Sequence, residues 1–389
     1  MDIRQDIHGL TSEAVDLLKG MIAIPSPSFG EEEVCSYICN WLDDRGLVFE
    51  RVENNILLKS WNQDPEGVGA QPEGQTVMLC AHIDTVSPSD EYGFDPYMPD
   101  YGKAAEIIGA KTGRELGPED IVAGLGSNDD GASVVSMLAA FRYFCAVTTN
   151  KNLVLVLTCE EERSGIGGMT GLWGSRLCSR ENMTEGCIAI DYAIVGEPTC
   201  MKAATAERGL LVIDATAHGI SGHAARNEGK NALYIAVEDI MNLRSYEFSR
   251  LSPRMGKVNL NVTQINAGTA HNVIPDRCDF VIDIRPTEQY ANEEILNELQ
   301  EICASKLKPR NLRNRSSATK ENSPLQKSAE QLGIETFSSP TTSDWMRIGC
   351  DAVKMGPGDS SRSHRKDEFV LVEEIRDGIR TYIEFLEIL

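Results

Sequence analysis

Two runs in this chain, Thr76-Val77-Met78-Leu79-Cys80-Ala81-His82-Ile83 and Asn152-Leu153-Val154-Leu155-Val156-Leu157-Thr158, are apolar at almost every position. A strand with one solvated face alternates apolar and polar residues, because successive side chains point to opposite sides. An uninterrupted apolar run instead fits a strand covered on both faces, as in a parallel sheet between helices. The covering elements are visible too. Residues 11–48 read as helix, break at Pro25-Ser26-Pro27, then helix, with Val34, Ile38, Trp41 and Leu42 on one face of the second. Residues 132–143 read as a further helix, 55–58 as a short strand, and the Pro/Gly/Asp-rich stretch 87–111 as loop. Strands alternating with helices predict an α/β fold.

The texture changes near residue 203. Strands over 210–217, 258–265 and 278–284 and helices over 232–243 and 292–306 follow in the order β-α-β-β-α, with a closing strand over 311–318. That order is a split βαβ sandwich of roughly 100 residues. An α/β texture then resumes: helix over 323–332, strand over 352–355, helix from Glu373. The sandwich therefore reads as an insertion, giving expected boundaries of 1–203, 204–317 and 318–389.

Composition narrows the function. The 389 residues hold 37 Lys and Arg against 59 Asp and Glu, a formal net charge of −22. Nucleic acid and anionic lipid attract clustered basic residues, so neither is expected as a partner. No run approaches the ~20 apolar residues of a membrane span. The opening Met1-Asp2-Ile3-Arg4-Gln5-Asp6 lacks the basic and apolar regions of a signal peptide, and the 11 cysteines are scattered without a CxxC. A reduced, cytoplasmic protein is the expectation.

Five short motifs carry potential chemistry. His82 ends the first apolar run in Ala81-His82-Ile83-Asp84, where Asp84 shares its strand face and can fix its tautomer. Gly126-Ser127-Asn128-Asp129-Asp130-Gly131 leads into a helix, Thr158-Cys159-Glu160-Glu161-Glu162 follows the second apolar run, and Gly196-Glu197-Pro198 follows a third. Gly356-Pro357-Gly358-Asp359-Ser360-Ser361-Arg362-Ser363-His364 lies late in the chain. Singly, each has an ordinary structural reading: a core histidine, a turn, a solvated acidic loop. Together they put two histidines and several acids after strand-like runs of one domain, the ligand set of a carboxylate-bridged zinc pair with a spare Glu as base. A phosphate loop lacks its Lys-Ser/Thr, and a calcium loop lacks acids at alternating positions.

In order and wording these motifs resemble those of the M20 metallopeptidase and amidohydrolase family along the whole chain. Within it the likeness is greatest to acetylornithine deacetylases of the Bacteroidetes kind. The resemblance implies a zinc-hydrolase catalytic domain with a mixed sheet flanked by helices, plus an inserted ferredoxin-like α+β lid that dimerises. It implies that His82 and Glu197 hold one zinc and Glu162 and His364 the other, with Asp129 bridging and the Asp129–Asp130 peptide a candidate cis bond. Cobalt and manganese are alternatives that such ligands admit. Asp84 would orient His82. The family's third motif usually reads Asp-Glu-Glu; aligning its first acid with Glu160 makes Glu161 the general base and Glu162 the ligand. A slip of one residue would make Glu160 the base and Glu161 the ligand.

In the lid, Ser221-Gly222-His223-Ala224 matches the motif whose histidine reaches a partner subunit's site and stabilises an oxyanion. Asn272 and Arg285 match substrate-binding positions. Arg362 is a further candidate for gripping an α-carboxylate, with ion pairing the alternative for both arginines. The implied activity is hydrolysis of an acylated amino acid by a homodimer, N-acetylornithine to ornithine plus acetate first. Succinylated or citrulline relatives, succinyl-diaminopimelate and dipeptides are the alternatives, and a non-catalytic metal-binding protein is a competing class. No role follows for the segment 87–123.

Overall fold

A computed structural model describes residues 3–63, 71–147, 151–226 and 228–389; Met1 and Asp2 of the N-terminal motif lie outside them. The chain divides into two units, Met1–Thr205 with Thr319–Phe337 and Ser343–Leu389, and Ala206–Ala318 with Ser338–Thr342.

The first unit is built on a mixed sheet. Its strands run in the order Phe49–Val52, Asn55–Lys59, Asn152–Thr158, Thr76–His82, Tyr192–Val195, Asp351–Lys354, Ala203–Glu207. The four central strands are mutually parallel and the outer pairings antiparallel. The apolar runs are explained by cover on both faces. Val77, Leu79, Ala81, Leu153, Leu155 and Leu157 join one cluster with the helices Ile3–Ile22, Gly131–Ala146 and Val372–Ile388. Met78, Cys80, Val154 and Val156 point the other way, into a second cluster with Met169, Leu172, Trp345 and Ile348. Alternate residues of each run thus serve opposite faces, and neither face tolerates a polar side chain.

One expected loop is partly helical. Within 87–111 the chain forms the helix Tyr101–Thr112, capped by Asp100 Oδ1, which accepts from the N–H groups of Gly102 (2.9 Å) and Lys103 (3.1 Å). The prolines and aspartates that suggested loop end at Asp100, Gly102 and Gly109 are accommodated within the helix, and Gly113 at φ 72° stops it. Ala104, Ala105 and Ile108 pack on a two-stranded ribbon, Ile121–Ala123 with Phe369–Leu371.

In the second unit, Asn259–Ala267, Arg277–Arg285, Leu211–His218 and Lys306–Pro309 form an antiparallel sheet in that order. The helices Ala232–Ser245 and Asn292–Ile302 contribute to its core, which includes Ala232, Ala236, Leu243, Ile295 and Leu299, while Leu211, Ile213, Ala215 and Ala217 face inward from the central strand. This is the ferredoxin-like βαββαβ sandwich. The last helix ends at Ile302 rather than residue 306, because Lys306–Pro309 pairs with residues 213–216 as the fourth strand. Residues 311–318 add only the short strand Ser317–Ala318.

Removing the Asp100 cap leaves two helix N–H groups without a partner. Asp100→Ala is expected to lower unfolding free energy by about 1 kcal/mol, measured by urea denaturation; an unchanged midpoint would contradict the capping assignment.

Candidate metal centre

The parallel register sets Thr76–His82 between Asn152–Thr158 and Tyr192–Val195, with Asp351–Lys354 next. Their carboxyl ends therefore share one edge, where open α/β sheets place ligands. The loops leaving that edge carry Glu160–Glu162, Glu197 and His364, and His82 ends the strand in their midst. Asp129 arrives from the turn before Gly131–Ala146. Glu368 Oε1 holds that turn, accepting from the N–H groups of Asn128 (2.9 Å) and Asp129 (3.0 Å). The Asp129–Asp130 peptide is cis.

Asp129 stands between the two histidines. Its Oδ1 is 3.2 Å from His82 Nε2 and its Oδ2 is 3.7 Å from His364 Nε2. Glu162 Oε1 lies 2.8 Å from His364 Nε2. Ligand atoms of His82, Asp129 and Glu162 fall within 4.8 Å of one another, as do those of His82, Glu161 and Glu197. The two sets share His82 and place Glu161 and Glu162 in different groups.

Asp84 organises this cluster from behind. His82 Nδ1 is 2.9 Å from the Asp84 carbonyl oxygen and 3.4 Å from its Oδ1. A ring donating from Nδ1 there turns the Nε2 lone pair toward Asp129. The Asp84 carboxylate also accepts from the N–H of Glu161 (3.0 Å), the N–H of Glu162 (3.1 Å) and Ser28 Oγ (2.7 Å). Glu160 faces elsewhere. It adopts φ 60°, and its Oε2 accepts from the Gly167 N–H at 2.8 Å. A Cβ at Gly165 or Gly167 would collide with that carboxylate, which accounts for glycine at both positions.

The donors are imidazole nitrogens and carboxylate oxygens, a set that suits divalent zinc, cobalt or manganese. Electrostatics points the same way. Burial pushes Glu161 and Glu197 well above the usual carboxylate range, and nearby acids add to it: Asp344 and Glu162 for Glu161, Asp129 for Glu197. Burial likewise raises Asp130 and Glu368 to about 8 and Asp344 to about 6. Burial opposes a charged His82, yet its hydrogen bonds to the Asp129 and Asp84 carboxylates hold its pKa well above normal, and the Glu162 contact raises His364 to about 9. The cluster thus draws positive charge as protons, a place that bound divalent ions would take. The places of Glu368 and Asp344 have no local signal in the sequence, and tertiary contact alone reveals them; Asp130 was expected only as the partner of Asp129 in a cis peptide.

The candidates for substrate contact divide differently. Arg362 is not open to a substrate carboxylate: Glu374 takes both ends of its guanidinium, at 2.7 and 3.0 Å, and the group stacks 4.3 Å from the Phe369 ring centroid. It anchors the loop that carries His364, so ion pairing prevails over the expected grip. Arg285 is likewise engaged by Asp283, at 2.9 and 3.2 Å. His223 and Asn272 are neighbours within the second unit, on the ribbon Gly222–His223 with Val273–Ile274, and His223 Nδ1 accepts from the Ala225 N–H.

Comparison with known proteins follows these lines. Residues 205–311 match the M20 model described as a peptidase dimerisation domain, and residues 66–239 match peptidase family M28. A succinyl-diaminopimelate desuccinylase from Corynebacterium glutamicum is 26% identical, covering 95% of this chain and 94% of its own. An acetylornithine deacetylase from Proteus mirabilis is 25% identical, covering 95% and 96%. The fold is shared with an aminopeptidase from Bacillus cereus (TM-score 0.71, 18% identity, 97% and 98% covered). It is shared also with an M20 metallo-carboxypeptidase from Sulfolobus solfataricus (TM-score 0.69, 15% identity, 97% and 99% covered).

Raised acid and histidine pKa values mean that the metal-free native state binds more protons than the unfolded chain, so stability falls as pH rises. The window runs from the ordinary carboxylate range through about 9, where His364 titrates. Chelated protein is expected to melt at a lower temperature at pH 8 than at pH 5, with added divalent ion flattening the difference. A melting temperature equal at both pH values before metal addition would contradict the charge analysis.

Proposed function

Because the chain belongs to the M20 family of metallopeptidases and amidohydrolases, we propose that this metal-dependent amide hydrolase uses two divalent ions, zinc first, to remove the acyl group of an N-acylated amino acid. N-acetylornithine, giving ornithine and acetate in arginine biosynthesis, is the leading substrate. The observation that carries the reading is Asp129 standing between His82 and His364, one carboxylate oxygen toward each. His82 with Glu197, and Glu162 with His364, would hold the two ions. Such a pair supplies Lewis acidity for the acyl carbonyl and acidifies water.

The chain's own groups do the rest. Glu161, its backbone fixed by Asp84, takes the proton from the attacking water and returns it to the departing amine. As base it must hold that proton until the C–N bond breaks. Asp84 keeps His82 in the ligating tautomer. His223, from the inserted unit, would supply an oxyanion donor in a homodimer formed through that unit, and Asn272 beside it would contact substrate.

A second reading, a desuccinylase, is favoured by the near-equal identity to the two relatives, 26% and 25%. Zinc-loaded protein offered N-acetylornithine, N-succinylornithine, N-acetylcitrulline and succinyl-diaminopimelate is expected to turn over one acyl-amino acid preferentially. Glu161→Gln should then lower kcat by about 10²–10⁴-fold with wild-type metal content. If Glu160→Gln is the crippled variant instead, the base lies one residue earlier. Turnover of none of the four would overturn the substrate assignment.

A further inference from the structure

The ligand cluster opens to solvent on one side. The His364 side chain is 54% exposed, against 3% for His82. His364, on that open side, and Glu162, which it touches, are each followed directly by an arginine. Arg163 completes the turn Glu161–Arg163, and Arg365 follows His364. Consecutive Cα atoms lie about 3.8 Å apart, and the ligands themselves touch at 2.8 Å. Both arginines are therefore rooted at the rim of the cluster.

Both are exposed, and among the described residues neither hydrogen-bonds nor ion-pairs with any group. Their neighbours in sequence and role are different: Lys366 pairs with Glu91 at 3.0 Å, Arg362 with Glu374 and Arg285 with Asp283. The chain has 59 acids to 37 basic residues, so partners were available. The charge of the centre explains what the free pair is for. Four carboxylates, those of Asp129, Glu161, Glu162 and Glu197, would offset the charge of two divalent ions, and the Asp84 carboxylate behind them leaves the centre no positive surplus. A negatively charged chain whose centre has no positive surplus has little to draw in an anion. A guanidinium, by contrast, grips a carboxylate with paired hydrogen bonds.

Resting on the amidohydrolase reading, we infer that Arg163 and Arg365 receive the substrate's α-carboxylate, on the carbon that bears the scissile amide nitrogen. They thereby select anionic N-acyl amino acids over peptides or amides that are neutral there.

The test compares N-acetylornithine and N-succinylornithine with the matching carboxamides, on wild type, Arg163→Gln, Arg365→Gln and the double variant. Arg376→Gln, an exposed arginine of the closing helix, is the control. Wild type should prefer each acid over its carboxamide by tenfold or more in kcat/KM. The double variant should lose that preference through KM, with kcat on the acids changed far less. Calorimetric binding of the same acids and carboxamides to the Glu161→Gln protein, with and without the arginine changes, provides a readout independent of turnover. No turnover by wild type would defeat the substrate assignment, and the binding titration would still judge the arginines. Equal affinity for acid and carboxamide, or an acid preference that survives the double substitution, overturns the inference.

Discussion

The Asp84 carboxylate, wholly buried, is the tie on which the site depends. One residue orients the His82 ring and accepts the N–H groups of both Glu161 and Glu162. A histidine on one strand and two glutamates beyond its neighbour are thereby fixed relative to each other. The strands supply the rest: three parallel pairings in register bring their carboxyl ends to one edge. Geometry at the centre is thus inherited from the sheet, and the sheet is held by apolar cover on both faces.

That edge carries an unusual burden of negative charge. Asp84, Asp129, Asp130, Asp344 and Glu368 are all buried, with Glu161, Glu162 and Glu197 half-buried beside them. Desolvated carboxylates this close must protonate or meet a cation. Backbone N–H groups support some of them, as those of Asn128 and Asp129 do for Glu368, and the ligand atoms themselves gather within 4.8 Å of one another. An arrangement costly without positive charge becomes favourable with it, which is the physical sense in which this fold implies a metal.

Much of this was legible in the sequence because the informative signals were local. The two uninterrupted apolar runs dictated a doubly covered sheet, and each candidate ligand followed such a run or opened a helix. What escaped depended on distant partners. Glu368 reaches a turn about 240 residues away, and Asp344 meets Thr158 at 2.7 Å; no spacing announces either. Arg362 looked available until Glu374 and Phe369 closed around it. The helix Tyr101–Thr112 was hidden by the breakers just before it, and the strand Lys306–Pro309 was missed, its first residue taken as the end of the preceding helix, because four residues carry too little periodicity. Glu160 and Glu161 are alike in sequence; the left-handed backbone at Glu160 sends its side chain into the glycine turn.

The central claim is that one aspartate joins two metal positions. Elemental analysis of dialysed protein, with calorimetric titration of metal-free wild type and Asp129→Ala, tests it most directly. The account predicts two divalent ions per wild-type chain and loss of tight binding at both positions in the variant. One ion per wild-type chain, or two bound with unchanged affinity in Asp129→Ala, would contradict it.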